Sequence, residues 1–259
     1  MLTTRSPRKR LSIMVPALNE QGNLAATIKE ILAGLKGSPI ADYEIIIFDD
    51  GSTDGTGRIA DKLARQNKKI RVVHNRPNRG IGYCYHKGVK MAKFEYYLYI
   101  PGDNQYPAKA FRDSLNLIGK ADIVIPFVTN MQIRPISRRL VSYLFTEILN
   151  FLFNLKITYY NSAVIHQSRI LKLMPLDLTS RFSYQALILV RLVKGGASYI
   201  EFGYKMYERR SGVTTAFRLD SIANVVRSLL SLFFELQILK KAPVPLKITK
   251  MLTQKKVVR

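Results

Sequence analysis

The sequence predicts an α/β fold, a mostly parallel sheet flanked by helices. Two observations carry this. Apolar, β-branched runs alternate with helix-period segments between residues 11 and 104. That order, βαβαβαβ, is the pattern of a parallel sheet joined by right-handed crossovers. Polar or acidic residues close three of the runs: Asn19 and Glu20, then Asp49 and Asp50, then Asp103 with Gln105. Ligands of open α/β sheets bind beyond the carboxyl ends of the strands, so these ends predict one crevice.

The first strand is "LSIMVPAL" (11–18), apolar and followed by a polar turn. Residues 22–36 carry Leu24, Ile28, Ile31, Leu32 and Leu35 at helical spacing. "YEIIIFDDGS" (43–52) predicts a buried strand that ends in acids and a turn. "TDGTGRIADKLARQ" (53–66) opens with cap-type residues and continues as a helix. "IRVVHN" (70–75) is a strand, "GIGYCYHKGVKMA" (80–92) a helix and "YYLYIPGDN" (96–104) a strand. A further strand, "DIVIPFV", follows.

Composition narrows the partners. The chain of 259 residues is 47% hydrophobic and carries 41 Lys and Arg against 18 Asp and Glu, a net charge of +23. Such a balance favours a polyanion: nucleic acid, an anionic membrane face or a phosphorylated substrate. Nucleic acid accounts for the charge but not for the acid clusters, and no RNP-type segment pairs aromatics with basic strands. The single cysteine, Cys84, excludes an internal disulfide and fits a reducing compartment. The N-terminal segment shows no signal-peptide pattern, and no run is long and apolar enough for a transmembrane helix. Two stretches, 140–155 and 219–239, suit helices lying at a membrane surface, although ordinary core helices share their pattern. Asp220, Arg227 and Glu235 interrupt the second. From residue 205 onward there are twelve Lys or Arg and three acids.

Strand-end carboxylates suit Mg²⁺ or Mn²⁺, hard cations that take few protein ligands and keep substrate phosphates as the others. They also accept hydrogen bonds from a nucleotide's base and ribose. Asp103 then reads as a metal ligand facing a diphosphate, with Asp49 and Asp50 at the nucleotide end. Asp, Gly, Ser and Thr are equally turn and cap residues, so "DDGSTDGT" alone is also explained as a turn. His74, His86 and His166 stand apart from one another and from Cys84, which speaks against a zinc site.

Four segments together settle more. "VPALNE" (15–20), "DDGSTDGT" (49–56), "NRGIGYCYHKG" (78–88) and "GDNQYP" (102–107) resemble, in order and spacing, family 2 glycosyltransferases over roughly residues 11–215. The nearer likeness is to dolichyl-phosphate mannose synthases and bacterial polyprenyl-phosphate glycosyltransferases. The resemblance implies a GT-A, Rossmann-like domain over 1–215, with a core at 11–130 and an acceptor or interface part at 131–215. Residues 216–259 would form an amphipathic, membrane-associated helix and basic tail. It implies nucleotide-sugar binding by Pro16, Asn19, Glu20, Asp49, Asp50, Gly80 and Asp103, and a Mg²⁺ or Mn²⁺ site at Asp103 and Gln105. Pro101 stands where the family usually has a first Asp. "RRLVS" (138–142) is similar to an Arg-x-x-x-Ser element for the acceptor phosphate, which implies Arg138 and Ser142. "RRSGVTT" (209–215) resembles an R-x-x-G-x-S-K segment, with Arg209 as its Arg and Thr215 at its Lys. The family's G-S-R after the next strand is absent, and Arg134 is the substitute we assign. Asp103, Arg138 and Arg209 are the expected catalytic set.

The acceptor follows from a gap. No Asp or Glu lies between Glu147 and Asp177, or between Asp177 and Glu201. Transfer to a sugar hydroxyl normally needs a general base, whereas a phosphate acceptor is already anionic. The expectation is inverting transfer of a hexose from a GDP- or UDP-sugar to a polyprenyl phosphate at the cytoplasmic face of a membrane. Two alternatives stand beside it. One is transfer to a saccharide or glycolipid hydroxyl with Asp177 as base. The other is a catalytically impaired membrane-bound homologue.

Overall fold

The computed structural model describes residues 9–175, 183–209 and 219–252. Asp177, Thr215, the side chain of Asp220, residues 1–8 and the last residues of the basic tail, 253–259, lie outside the described residues. So does the expected boundary at 215.

Five strands form the main sheet, in the order β3-β2-β1-β4-β6. They are β1 Lys9–Ala17, β2 Ile40–Asp49, β3 Ile70–His74, β4 Tyr96–Tyr99 and β6 His166–Gln167. The first four pair in parallel; β6 runs antiparallel to β4. β5 Ile123–Val128 and β7 Tyr199–Tyr204 pair in parallel beside it, and Val124 bridges Ile165 just before β6. Alternate strand residues face opposite sides. Ile13, Val15, Ile45 and Ile47 therefore join one apolar layer, with Leu24, Ile28 and Ile31 of α1 (Leu24–Leu35) and Phe111 and Leu115 of α4 (Ala108–Asn116). Met14, Ile46 and Phe48 join the other. There they meet Cys84 and Val89 of α3 (Ile81–Met91), Leu149 and Phe153 of α5 (Ile136–Phe153) and Leu189 of α7 (Tyr184–Lys194). Two further helices precede α7 in the chain, α2 (Thr56–Gln66) and the short α6 (Ser168–Leu171).

The elements expected from the sequence appear with shifted ends. β4 stops at Tyr99 rather than 104; Ile100 N and Gly102 N still donate to Met14 O and Pro16 O of β1 (2.9 and 3.0 Å) as the chain passes into a polar turn. α5 begins at Ile136, four residues earlier than its apolar run. Pro135, with φ −51°, sits just before it, where a locked φ helps start a helix. The early start places Arg138 on the helix. α8 (Leu219–Phe233) runs into a π-helical turn at Phe234–Ile238, and the short α9 (Leu246–Thr249) follows. Leu229, Leu232, Leu236 and Ile248 pack into the same core layer as α3 and α7, so one face of this stretch is core. The other face exposes Val226, Leu230, Phe234 and Ile238. Among the described residues no helix is long and apolar enough to cross a membrane.

Candidate active site

β2 ends at Asp49, level with Ala17 of β1 and His74 of β3. Asp49 is buried; it accepts from Ser52 N (3.2 Å) and pairs with His74 Nδ1 (2.8 Å). Burial pushes its pKa up, but hydrogen bonds from Ser52 and His74 outweigh burial and hold it below the usual value. His74 is raised in turn, first by Asp49, against burial and with help from Asp61. The raised His74 stabilises the fold fully below about pH 6.5, and this is lost as pH rises through its folded pKa. Lowered Asp49 contributes fully above about pH 4, and this is lost as pH falls through its folded pKa. His74→Gln should therefore lower the thermal midpoint most between about pH 4 and 6.5, with the gap closing on the alkaline side. Midpoints of both proteins across pH 4–9 check this; a gap that widens toward pH 9 contradicts the pair.

Asp50 is a clamp. Its carboxylate accepts from Asn75 Nδ2 (2.9 Å), Arg79 N (2.9 Å) and Gly80 N (2.8 Å), while Asn78 Nδ2 donates to its carbonyl (2.8 Å). It thereby fixes the loop that enters α3. Gly51, with φ +79°, lets the Asp49–Ser52 turn pass that loop; a Cβ there would lie 2.8 Å from Asn78 N. Gly80 also has positive φ, +85°, at the start of α3. Asn19 and Glu20 tie the end of β1 to the same turn. Asn19 Oδ1 accepts from Thr53 N (2.9 Å), and Glu20 N donates to Thr56 Oγ1 (2.8 Å).

Asp103 lies across β1 from these groups. β2 and β4 both flank β1, so their ends stand about two strand spacings, ~10 Å, apart. The Asp103 turn is anchored on three sides. Gly102 N donates to Pro16 O (3.0 Å), Asn104 N to Thr27 Oγ1 of α1 (2.9 Å) and Gln105 N to Asp103 Oδ1 (3.2 Å). Gln105 Nε2 donates to Tyr207 O (3.2 Å) and Tyr207 N to Gln105 O (3.0 Å). That pairing carries the segment after β7 past the turn and delivers Arg209, which forms an ion pair with buried Glu20.

Charge converges here. Burial pushes the pKa of half-buried Asp103 up, and Gln105 N, Arg209, Arg138 and Arg134 pull against it. Burial likewise raises Glu20, with Asn23 and Arg209 opposing and Asp103 adding to the rise. Arg138 is lowered, first by burial and then by neighbouring Arg134. Three guanidinium groups thus act on one turn that holds one carboxylate. Among the described residues no hydrogen bond reaches the Arg138 guanidinium, and the buried Nε of Arg134 has no partner. Ser142 lies one turn beyond Arg138 on α5 and lines an open groove of about 1060 Å³. The sequence reading missed Tyr159, whose hydroxyl accepts from Arg134 Nη1 (2.8 Å); no motif or periodicity marks it.

Among the described residues no group of three or more His, Cys, Asp or Glu could hold a metal. The turn offers one carboxylate, Asp103, beside Gln105, a donor set that suits a hard divalent ion only if a diphosphate and water supply most of its ligands. It does not form a closed cage.

The mostly parallel sheet flanked by helices is a GT-A-type fold, with Glu20, Asp103 and three arginines gathered beyond the ends of β1 and β4. The sequence profile of Glycosyl transferase family 2 matches residues 12–173, and the chain belongs to that family. Among its relatives, dolichyl-phosphate β-glucosyltransferase of Homo sapiens is 36% identical over 104 residues, 38% of this chain and 32% of that enzyme. Dolichol-phosphate mannosyltransferase of Saccharomyces cerevisiae is 31% identical over 96 residues, 37% of this chain and 36% of that enzyme. The matched stretch thus spans about a third of each. An uncharacterized protein of Methanocaldococcus jannaschii is 26% identical over 234 residues, 85% of this chain and 98% of its own length. The fold is shared with glucosyl-3-phosphoglycerate synthase from Mycobacterium tuberculosis, solved with Mn²⁺, UDP and phosphoglyceric acid. That match has a TM-score of 0.60 at 18% identity, over 88% of this chain and 78% of that one. S. aureus TarS 1–349 with UDP matches at TM-score 0.61 and 18% identity, over 87% of this chain and 65% of that one.

Proposed function

We propose that the protein transfers a hexose, with inversion, from a GDP- or UDP-sugar to a polyprenyl phosphate at a membrane surface. The observation that carries this is the set of three arginines around Asp103. Glu20 pairs with Arg209 and Asp103 is the turn's one carboxylate, so three guanidinium groups outnumber two carboxylates there, and that excess, with a divalent ion, suits the phosphate groups of donor and acceptor. The loop held by Asp50 and the turn held by Asn19 offer a wall for the nucleotide. Asp103 and Gln105 would hold Mg²⁺ or Mn²⁺, which neutralises charge on the departing diphosphate; the M. tuberculosis neighbour's Mn²⁺ and UDP support this. Arg138, Arg209 and Arg134, with Ser142, hold the acceptor phosphate. One of its oxygens bonds to the anomeric carbon as the bond to the diphosphate breaks. No proton has to leave the nucleophile, which agrees with the acid-free run of sequence.

Membrane action is supported by the apolar side chains that α5 turns outward: Ile136, Leu140, Tyr143, Leu144, Ile148 and Phe151. α5 is held against the C-terminal helices on their buried side, through Phe153–Phe233 and through Gln237 Nε2 donating to Leu152 O (3.1 Å). With the +23 charge, these surfaces suit an anionic bilayer at its cytoplasmic face. On this reading 1–215 is the catalytic part and 216–259 the membrane-associated part.

Incubation with a panel of nucleotide-sugars and vesicles containing polyprenyl phosphate tests the proposal. The expected result is a hexosyl-phosphoryl lipid by mass spectrometry, with nucleotide release that depends on the lipid phosphate. Product on a saccharide or glycolipid hydroxyl, or no nucleotide release from any donor, overturns it.

A further inference from the structure

We propose that Tyr159 is the positioning residue for the acceptor's phosphate and first isoprene units. Its hydroxyl sets Arg134, and the residue lines the groove beside it; the inference rests on the polyprenyl-phosphate reading above. Arg134 projects from the short segment between β5 and α5. Its Nη1 donates to the Tyr159 hydroxyl at 2.8 Å, and its charge is felt at Asp103. An arginine carries five donors. One is held by Tyr159, and the Nε is buried with no partner among the described residues. A buried guanidinium donor left unsatisfied is costly unless a ligand oxygen completes it. With Arg138 and Arg209 acting on the same turn, an oxyanion is that ligand.

Tyr159 is itself held rigidly through its chain neighbours. Thr158 donates to Glu201 of β7 through its N (2.7 Å to Oε1) and its hydroxyl (3.2 Å to Oε2). Tyr160 donates its hydroxyl to Asn150 Oδ1 of α5 (2.9 Å). Asn150 also brackets Ile157, donating to its carbonyl (3.0 Å) and accepting from its N (3.1 Å). The loop is therefore pinned to β7 on one side of Tyr159 and to α5 on the other, while Tyr159 stays half-exposed. A tyrosine fixed so firmly yet left open is placed for a ligand rather than for the core. Tyr159 lines the groove with Phe127, Met131, Ile136 and Leu140, while Arg139, Glu147 and Lys156 add charge to it. Tyr159 thus meets Arg134 through its hydroxyl and lines the groove beside it, a junction of cation and largely apolar surface that suits an isoprenyl phosphate.

Tyr159→Phe keeps the ring and removes the hydroxyl. Equilibrium binding of farnesyl phosphate to the full-length protein is the readout, with inorganic phosphate, farnesol and UDP as the other arms. Tyr159→Phe should weaken farnesyl phosphate about tenfold and leave UDP affinity and the thermal midpoint unchanged. Arg134→Ala should weaken it at least as much, and the double variant no more than Arg134→Ala alone. Additive losses, or equal loss of UDP affinity, overturn the positioning role. Inorganic phosphate bound as tightly as farnesyl phosphate overturns the groove's part. Wild-type protein that does not prefer farnesyl phosphate to farnesol overturns the acceptor reading and this inference with it. A preference for farnesyl phosphate left intact in Tyr159→Phe overturns this inference alone.

Discussion

Asp103→Asn is expected to reduce sugar transfer by about a hundredfold to a thousandfold, the scale seen when one preorganised electrostatic group is lost from an active site. The substitution keeps size and hydrogen-bonding shape, so the backbone donation from Gln105 can persist at the carbonyl oxygen. What disappears is the one carboxylate in a turn on which three arginines act. A divalent ion then has no anionic protein ligand there, and Pro101 cannot supply one. The arginines would also lose their counter-charge and hold the diphosphate in a less defined position. The turn itself should survive, because Gly102, Asn104 and Gln105 anchor it through Pro16, Thr27 and Tyr207. Turnover at saturating nucleotide-sugar, measured with the thermal midpoint, checks this. Wild-type turnover in Asp103→Asn would remove the residue from the chemistry, and a lost midpoint would mark it as structural.

Much of this arrangement was legible in the sequence, for a local reason. β1 to β4 and the helices between them are short units whose apolar period reports their buried face, as Ile13/Val15 and Met14 show by joining opposite layers. The acids at the strand ends were legible because the crevice of an open sheet is where polar turns are exposed to ligand. Their division of labour was not. Asp50 looks like a ligand group, yet its carboxylate holds Asn75, Arg79 and Gly80, a task visible only once the loop lies beside it. α5 starts four residues before its apolar run because its first turn, "ISRR", follows Pro135 and has no apolar stripe to announce it. The pairing of β5 with β7 joins residues about seventy-five positions apart, and β6 is two residues long; neither leaves a period to read. Tyr159 is the sharpest case, since its role depends on bonds to Asn150 and Glu201 made by its neighbours.

Arg138 and Arg209 should differ in how they fail, and the difference separates binding charge from structural charge. Arg138→Ala should slow transfer by roughly tenfold to a hundredfold, the scale of one lost charge-assisted hydrogen bond. The loss should show chiefly as a raised acceptor KM. Its thermal midpoint without ligand should be unchanged or higher, since burial and the nearby Arg134 already disfavour this cation. Arg209→Ala should slow transfer comparably and destabilise the protein as well, because Glu20 loses its ion-pair partner in a buried position. Leaving such a group unpaired costs about 1–3 kcal/mol. The cost should stand toward the low end, because Glu20, already pushed up by burial, can relax by taking a proton. Asp177→Asn supplies the contrast. If a phosphate oxygen is the nucleophile, no base is needed and this variant should transfer at near wild-type rate. Loss of a general base typically costs a hundredfold to ten-thousandfold. Acceptor KM, turnover and midpoint for the three variants, measured with one donor and one acceptor, therefore decide the chemistry. An Asp177→Asn enzyme slowed a thousandfold beside nearly normal arginine variants would move the acceptor from a lipid phosphate to a sugar hydroxyl.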